Sequence, residues 1–218
     1  MLTDPDGADE LRRLGARSVP VLSRGDNWIF AQNLGHVVRF LGLNETTGPV
    51  LPPARLMERL DLFVRTAIRI VPQMPDALLS QEVPGRPRSY LALAHHLFRI
   101  PESIQEVAAG AMLTNGMLTD GPPPDMNTSA ALGAYGQRVL TAMNTWWDAK
   151  PDKSGRETVQ TYYGPQLLHE LQERMTWHCC QHVRQWSMLL EIAGIQPVVA
   201  LDSAAFAGLP MPACVWDG

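Results

Sequence analysis

The chain has 218 residues, 45% of them hydrophobic and 18% charged, with a formal net charge of -4. That length allows one or two domains around a sizeable core, and the composition excludes a disordered chain. No apolar run reaches the roughly 18 residues of a membrane span, no Lys/Arg run invites nucleic acid, and Cys179, Cys180 and Cys214 are too few for a disulfide-stapled secreted fold.

The first seven residues are acidic and contain no apolar signal segment, so a cytoplasmic protein is the expectation. Residues 8–14 read as the end of a helix closed by Gly15. Val-Pro-Val-Leu at 19–22 reads as a short strand, and residues 26–30 as a turn and a second strand. Asn33 can cap a helix with apolar positions Leu34, Val37, Val38 and Leu41, and Gly42 suits its end. Residues 44–53, rich in proline, read as a linker. Leu56, Leu60, Phe63, Ala67 and Ile70 recur at helical spacing with Arg55, Arg59, Arg65 and Arg69 between them, and Pro72 and Pro75 stop that helix. A second helix spans about 88–109, where Pro101 should kink it or reset its start. Residues 115–124 read as a Gly/Pro-rich loop. Thr128 or Ser129 opens a third helix reaching Lys150. After a polar loop, Gly164-Pro165 places proline near the start of a fourth helix ending near Gly194. Four amphipathic helices joined by proline-rich loops predict an antiparallel four-helix bundle. The tail from Ile195 is irregular, with its Leu209 to Pro212 run and Trp216 against the bundle.

The histidines carry the chemistry. At about 100° per residue, Leu171, Met175, His178, His182 and Leu189 form one stripe, so His178 and His182 point inward one turn apart. His169 falls on the opposite side and should face water. His96 lies within about 60° of the second helix's apolar stripe, whereas His95, about 160° away, should be outside. Two inward imidazoles at i and i+4 can converge on one metal ion, with a third ligand from a neighbouring helix. Each can equally be a core histidine hydrogen-bonded to protein groups, since a buried imidazole needs a partner either way. No Glu follows His178, so the H-E-x-x-H metalloprotease pattern fails. Cys179 and Cys180 adjoin His178. Packing between helices is their simplest role; a low-pKa thiol or an extra ligand is the alternative.

The run Trp177-His178-Cys179-Cys180-Gln181-His182-Val183-Arg184-Gln185, ending in Leu189-Leu190 and Ala193-Gly194-Ile195, and the run Leu93-Ala94-His95-His96-Leu97-Phe98-Arg99-Ile100 carry a resemblance. Through them residues 53–216 resemble the DinB-like superfamily of metal-dependent, thiol-dependent S-transferases. The resemblance implies a four-helix bundle with His96, His178 and His182 holding a divalent metal, zinc or nickel; Trp177 and Gln181 either shape the site beside the substrate or pack, packing being the simpler role for Trp177. It also implies a low-molecular-weight thiol such as glutathione as cosubstrate.

The N-terminal run from Glu10 to Leu22, then Gly25-Asp26 and the helix behind Asn33, resembles the C-terminal half of a glutaredoxin or thioredoxin fold. The resemblance implies a cis Val19–Pro20 peptide. The first strand, first helix and Cys-x-x-Cys of such a fold are missing, and no cysteine precedes Cys179, so dithiol redox chemistry is excluded in this segment. Half a redoxin sheet leaves edges uncovered. It must pack on the bundle, pair across a homodimer, or belong to a longer chain with a further strand–helix unit upstream; the last two are the favoured expectations. The division is then residues 1–43 as a partial redoxin-like segment, 44–52 as a linker, and 53–218 as the bundle with its tail. The functional expectation is an S-transferase or isomerase acting on a small-molecule electrophile at an open three-histidine site, its general base unassigned. A non-catalytic scaffold and a metal-dependent hydrolase are the alternatives.

Overall fold

The computed structural model describes residues 5–16 and 19–216. Arg17 and Ser18 of the redoxin-like run, and the last two residues of the tail, lie outside the described residues.

The chain opens with helix α1, Pro5–Leu14, closed by Gly15 at φ 70°. Strands β1, Val21–Arg24, and β2, Asn27–Phe30, pair antiparallel across Gly25-Asp26, with Val21 opposite Phe30. Pro20 has no N–H to give a ladder, and β1 starts one residue after it. The Val19–Pro20 peptide is cis. Arg13 ties α1 to the hairpin turn through Asp26 at 2.6 Å and the Gly25 carbonyl at 3.0 Å. Helix α2, Leu34–Leu41, begins where the Asn33 side chain accepts the His36 N–H, and ends at Gly42, φ 68°. That is the capping pair the sequence predicts.

The rest is mainly helical. Helix α3 spans Pro53–Ile70, with proline at its first position and two 3-10 turns behind it at Val71–Gln73 and Asp76–Leu78. Helix α4 spans Tyr90–Ala108, α5 Asn115–Thr119, α6 Ser129–Ala149 and α7 Leu168–Ile192. Helices α3 and α4 each pack against both α6 and α7. Leu60, Phe63, Ile70, Leu97, Ile100 and Trp186 lie fully inside. The Trp186 indole donates to the Ile70 carbonyl at 3.2 Å, so the largest core side chain keeps its polar atom paired. Helix α6 reaches α4 closely through Gly136: a Cβ there would sit 2.4 Å from the Phe98 ring. Among the described residues, no helix is long and apolar enough to cross a membrane.

Several expectations change. Pro101 does not reset α4; the helix runs through it. Its missing N–H leaves the Leu97 carbonyl without the usual helical donor, and the buried Cys179 thiol from α7 faces that oxygen at 3.9 Å. The loop expected at 115–124 begins with α5, which Thr114 caps by accepting the Met117 N–H. Gly164-Pro165 does not start the last helix. Strand β4, Gln166–Leu167, intervenes and pairs with β3, Thr158–Val159, before α7 begins. The tail is irregular apart from a 3-10 turn at Ser203–Phe206, and Leu209, Met211 and Trp216 pack against the core as expected.

The redoxin-like segment packs on the helical body, the arrangement the sequence disfavoured. Asn33 Nδ2 donates to Gln166 Oε1 at 3.1 Å, Arg174 donates to the Gln32 carbonyl at 3.1 Å, and His36 Nε2 meets the Pro165 carbonyl at 3.0 Å. Phe30 lies edge-on to Tyr162, with ring centres 5.9 Å apart.

Candidate metal centre

Helix α4 brings His96, and α7 brings His178 and His182, to one point. The i, i+4 spacing stacks the two α7 imidazoles on one face. His178 Nε2 lies 3.0 Å from His182 Nε2 and 3.4 Å from His96 Nε2. All three ligating nitrogens fall within 4.8 Å of one another. For tetrahedral zinc with Zn–N of about 2.0–2.1 Å, ligand nitrogens sit roughly 3.3 Å apart. The observed spacings bracket that value.

The outer hydrogen bonds fix which nitrogen is free. His96 Nδ1 faces the Leu118 carbonyl of α5 at 2.5 Å, and only an N–H can make that contact. Gln185 Nε2 donates to the Val215 carbonyl at 3.1 Å, so its Oε1 is turned toward His182 Nδ1 at 2.7 Å, and His182 must donate. Neutral His96 and His182 therefore present bare lone pairs at Nε2. A single proton on His178 Nε2 cannot serve both. Three nitrogens this close, in a buried place, call for a cation between them. The donor set thus fits a divalent metal.

Electrostatics agree with neutral ligands. Burial, then the like charge of neighbouring imidazoles and arginines, holds His96 and His178 well below the usual histidine range. Burial pushes His182 down to about 4, against the smaller opposing effect of Gln185. Metal binding requires the unprotonated imidazole, and at neutral pH it needs no deprotonation here. His96 and His182 are buried, whereas His178 is half-buried.

The wheel separates the ligand from its neighbour correctly, since His96 and not His95 joins the cluster. It fails on exposure. His95 is buried, stacked on Tyr135 of α6 with ring centres 5.4 Å apart. His169 is half-buried, its Nε2 2.8 Å from the Leu51 carbonyl. Trp177 is half-buried with its ring 5.7 Å from that of His178, at the edge of the cluster. Gln181 is turned away to the tail: its Nε2 donates to the Cys214 and Val215 carbonyls at 3.1 and 2.6 Å, and its Oε1 accepts from Arg184. That amide is engaged by protein groups on both its nitrogen and its oxygen.

Cys179 and Cys180 are packing residues, whereas Cys214 of the tail is exposed. Burial pushes the Cys179 thiol well up and that of Cys180 to about 12, so neither is a thiolate at neutral pH, and neither joins the histidine cluster. A cleft of about 380 Å³ opens beside His182 and Gln185, walled by Val83, Arg86, Pro87, Arg88, Leu93 and Trp216. Leu118 and Gln185 are the supporting residues that sequence reasoning missed. Gln185, three residues after His182, is legible from helical spacing; the Leu118 carbonyl, 22 residues from His96, is not.

No protein-family model matches this sequence, and no curated protein is significantly similar to it.

Proposed function

We propose that the chain is a metal-dependent enzyme of the DinB-like superfamily, its four long helices forming that superfamily's antiparallel bundle. Its reaction is thiol-dependent S-transfer or isomerisation of a small electrophile. The observation that carries this reading is the convergence of three Nε2 atoms, two of them bared by outer hydrogen bonds from Nδ1.

His96, His178 and His182 would hold the cation. Three protein ligands leave coordination positions open, as catalytic sites do and closed structural sites do not. A divalent cation, zinc or nickel, would supply the positive charge that favours a thiol as its thiolate. The two thiols beside His178 cannot take that part, because Cys179 and Cys180 are buried and held protonated. The thiol would come from a small molecule, glutathione being the expected class. Leu118 and Gln185 hold the imidazole protons on the outer nitrogens. The cleft beside His182 would give substrate its approach.

Elemental analysis of the purified protein tests the centre. The expected result is about one zinc or nickel per chain, lost in His178→Ala and in His182→Ala. Protein that takes up no metal, and whose stability zinc leaves unchanged, would overturn the reading. Assays of glutathione conjugation to an activated aryl halide, run beside ester hydrolysis, then separate S-transfer from the hydrolase alternative.

A further inference from the structure

The turn that leads into α4 brings a positive charge to the metal centre. Its backbone is closed on itself, with Val83 N–H to the Arg88 carbonyl at 2.8 Å and Arg86 N–H to the Val83 carbonyl at 3.0 Å. Arg88 is therefore placed rather than trailing. It lines the cleft with His182, and its charge is felt by all three histidines.

Arg88 is half-buried, and among the described residues no carboxylate pairs with it. Burial lowers its pKa, and the only charge acting on it alongside is the like charge of Arg86 on the same wall. Taking a guanidinium partly out of water without a counter-charge is unfavourable. Arg99, by contrast, is clamped by Glu102 and Glu106. Across the same cleft, the Trp216 indole N–H is buried with no acceptor. A guanidinium that lines the cleft without a counter-charge complements an anion, and its fork matches an oxyanion.

We propose that this cleft binds a small organic oxyanion, a carboxylate or phosphate group of the substrate or thiol, on the Arg88 guanidinium beside the three histidines. The placement of the rest of that molecule at the metal rests on the reading above; the anion site itself does not.

Calorimetric titration tests it, with glutarate, its neutral diamide and methyl phosphate as probes. Each is titrated into metal-stripped and zinc-treated protein. At least one anion should bind tenfold or more tighter than the diamide, and the tighter of the two assigns carboxylate or phosphate. Arg88→Met and Arg88→Gln should each lose that preference while Arg88→Lys keeps part of it, with melting temperatures and zinc content unchanged. Wild-type protein that binds neither anion better than the diamide, or variants that retain the preference, would sink the proposal. Arg88-dependent anion binding in protein that takes up no zinc leaves the anion site standing and removes the metal reading. One zinc per chain without any anion preference does the reverse.

Discussion

The redoxin-like ribbon and the helical body are held by different forces. In the body, whole side chains such as Leu60, Phe63 and Trp186 are removed from water. Among the described residues up to Leu43, Asn33 alone is buried, and it is polar. The ribbon is attached by single hydrogen bonds at Gln32, Asn33 and His36, and by one aromatic edge. Since a hydrogen bond contributes only about 0.5–1.5 kcal/mol net, the ribbon is docked while the body is packed. A resemblance in sequence between the ribbon and half of a larger fold therefore does not imply a core of its own.

The contrast can be sharpened by three measurements. Leu60→Ala should destabilise the body most, by about 2–5 kcal/mol in denaturant unfolding, because the cavity is surrounded on all sides. Next comes acid. His182 is held at about 4 when folded, against 6.5 unperturbed. The unfolded chain binds a proton there that the folded chain refuses, so stability is complete above pH 6.5 and falls as pH drops toward 4. His182 alone contributes on the order of 3 kcal/mol to that loss. It should appear in thermal melts of the metal-free protein, and His182→Ala should flatten the profile. A body whose stability is flat from pH 7 to 4 would contradict the buried neutral cluster. The smallest effect is Asn33→Ala, which removes the α2 cap and the bond to Gln166 for about 1 kcal/mol. Hydrogen exchange should quicken over Leu34–Leu41 while the body's midpoint holds. A matching fall in the body's midpoint would mean that ribbon and body unfold as one unit.

Local chemistry made much of this legible. Asn33 and Gly42 bracket α2 because capping is decided within a few residues. His178 and His182 share a face because the helical period demands it. What a single helix could not reveal is what lies opposite it. His95 points away from its own helix's main stripe, yet Tyr135 of α6 covers it. Pro165 has the right chemistry for a helix start, but β3 claims the next two residues for a ladder. Asn115 to Thr119 reads as a loop by its glycine, and Thr114 turns it into a helix whose Leu118 carbonyl reaches His96. The candidate ligands were legible; of the two groups that aim them, Gln185 is local to α7 and the Leu118 carbonyl arrives from elsewhere in the chain.

Gln185 joins two parts of the molecule through one rigid amide, His182 on its oxygen and the tail carbonyl of Val215 on its nitrogen. Those two ends cannot be exchanged while the tail is seated, because the nitrogen would then face a ring N–H. Release of the tail would free the amide to turn over, present its NH₂ to the ring, and send the imidazole proton to the inner nitrogen. His182 would then offer the cluster a donor instead of a lone pair. The tail carbonyl of Val215, acting through Gln185, thereby works as a lock on which nitrogen of His182 carries the proton.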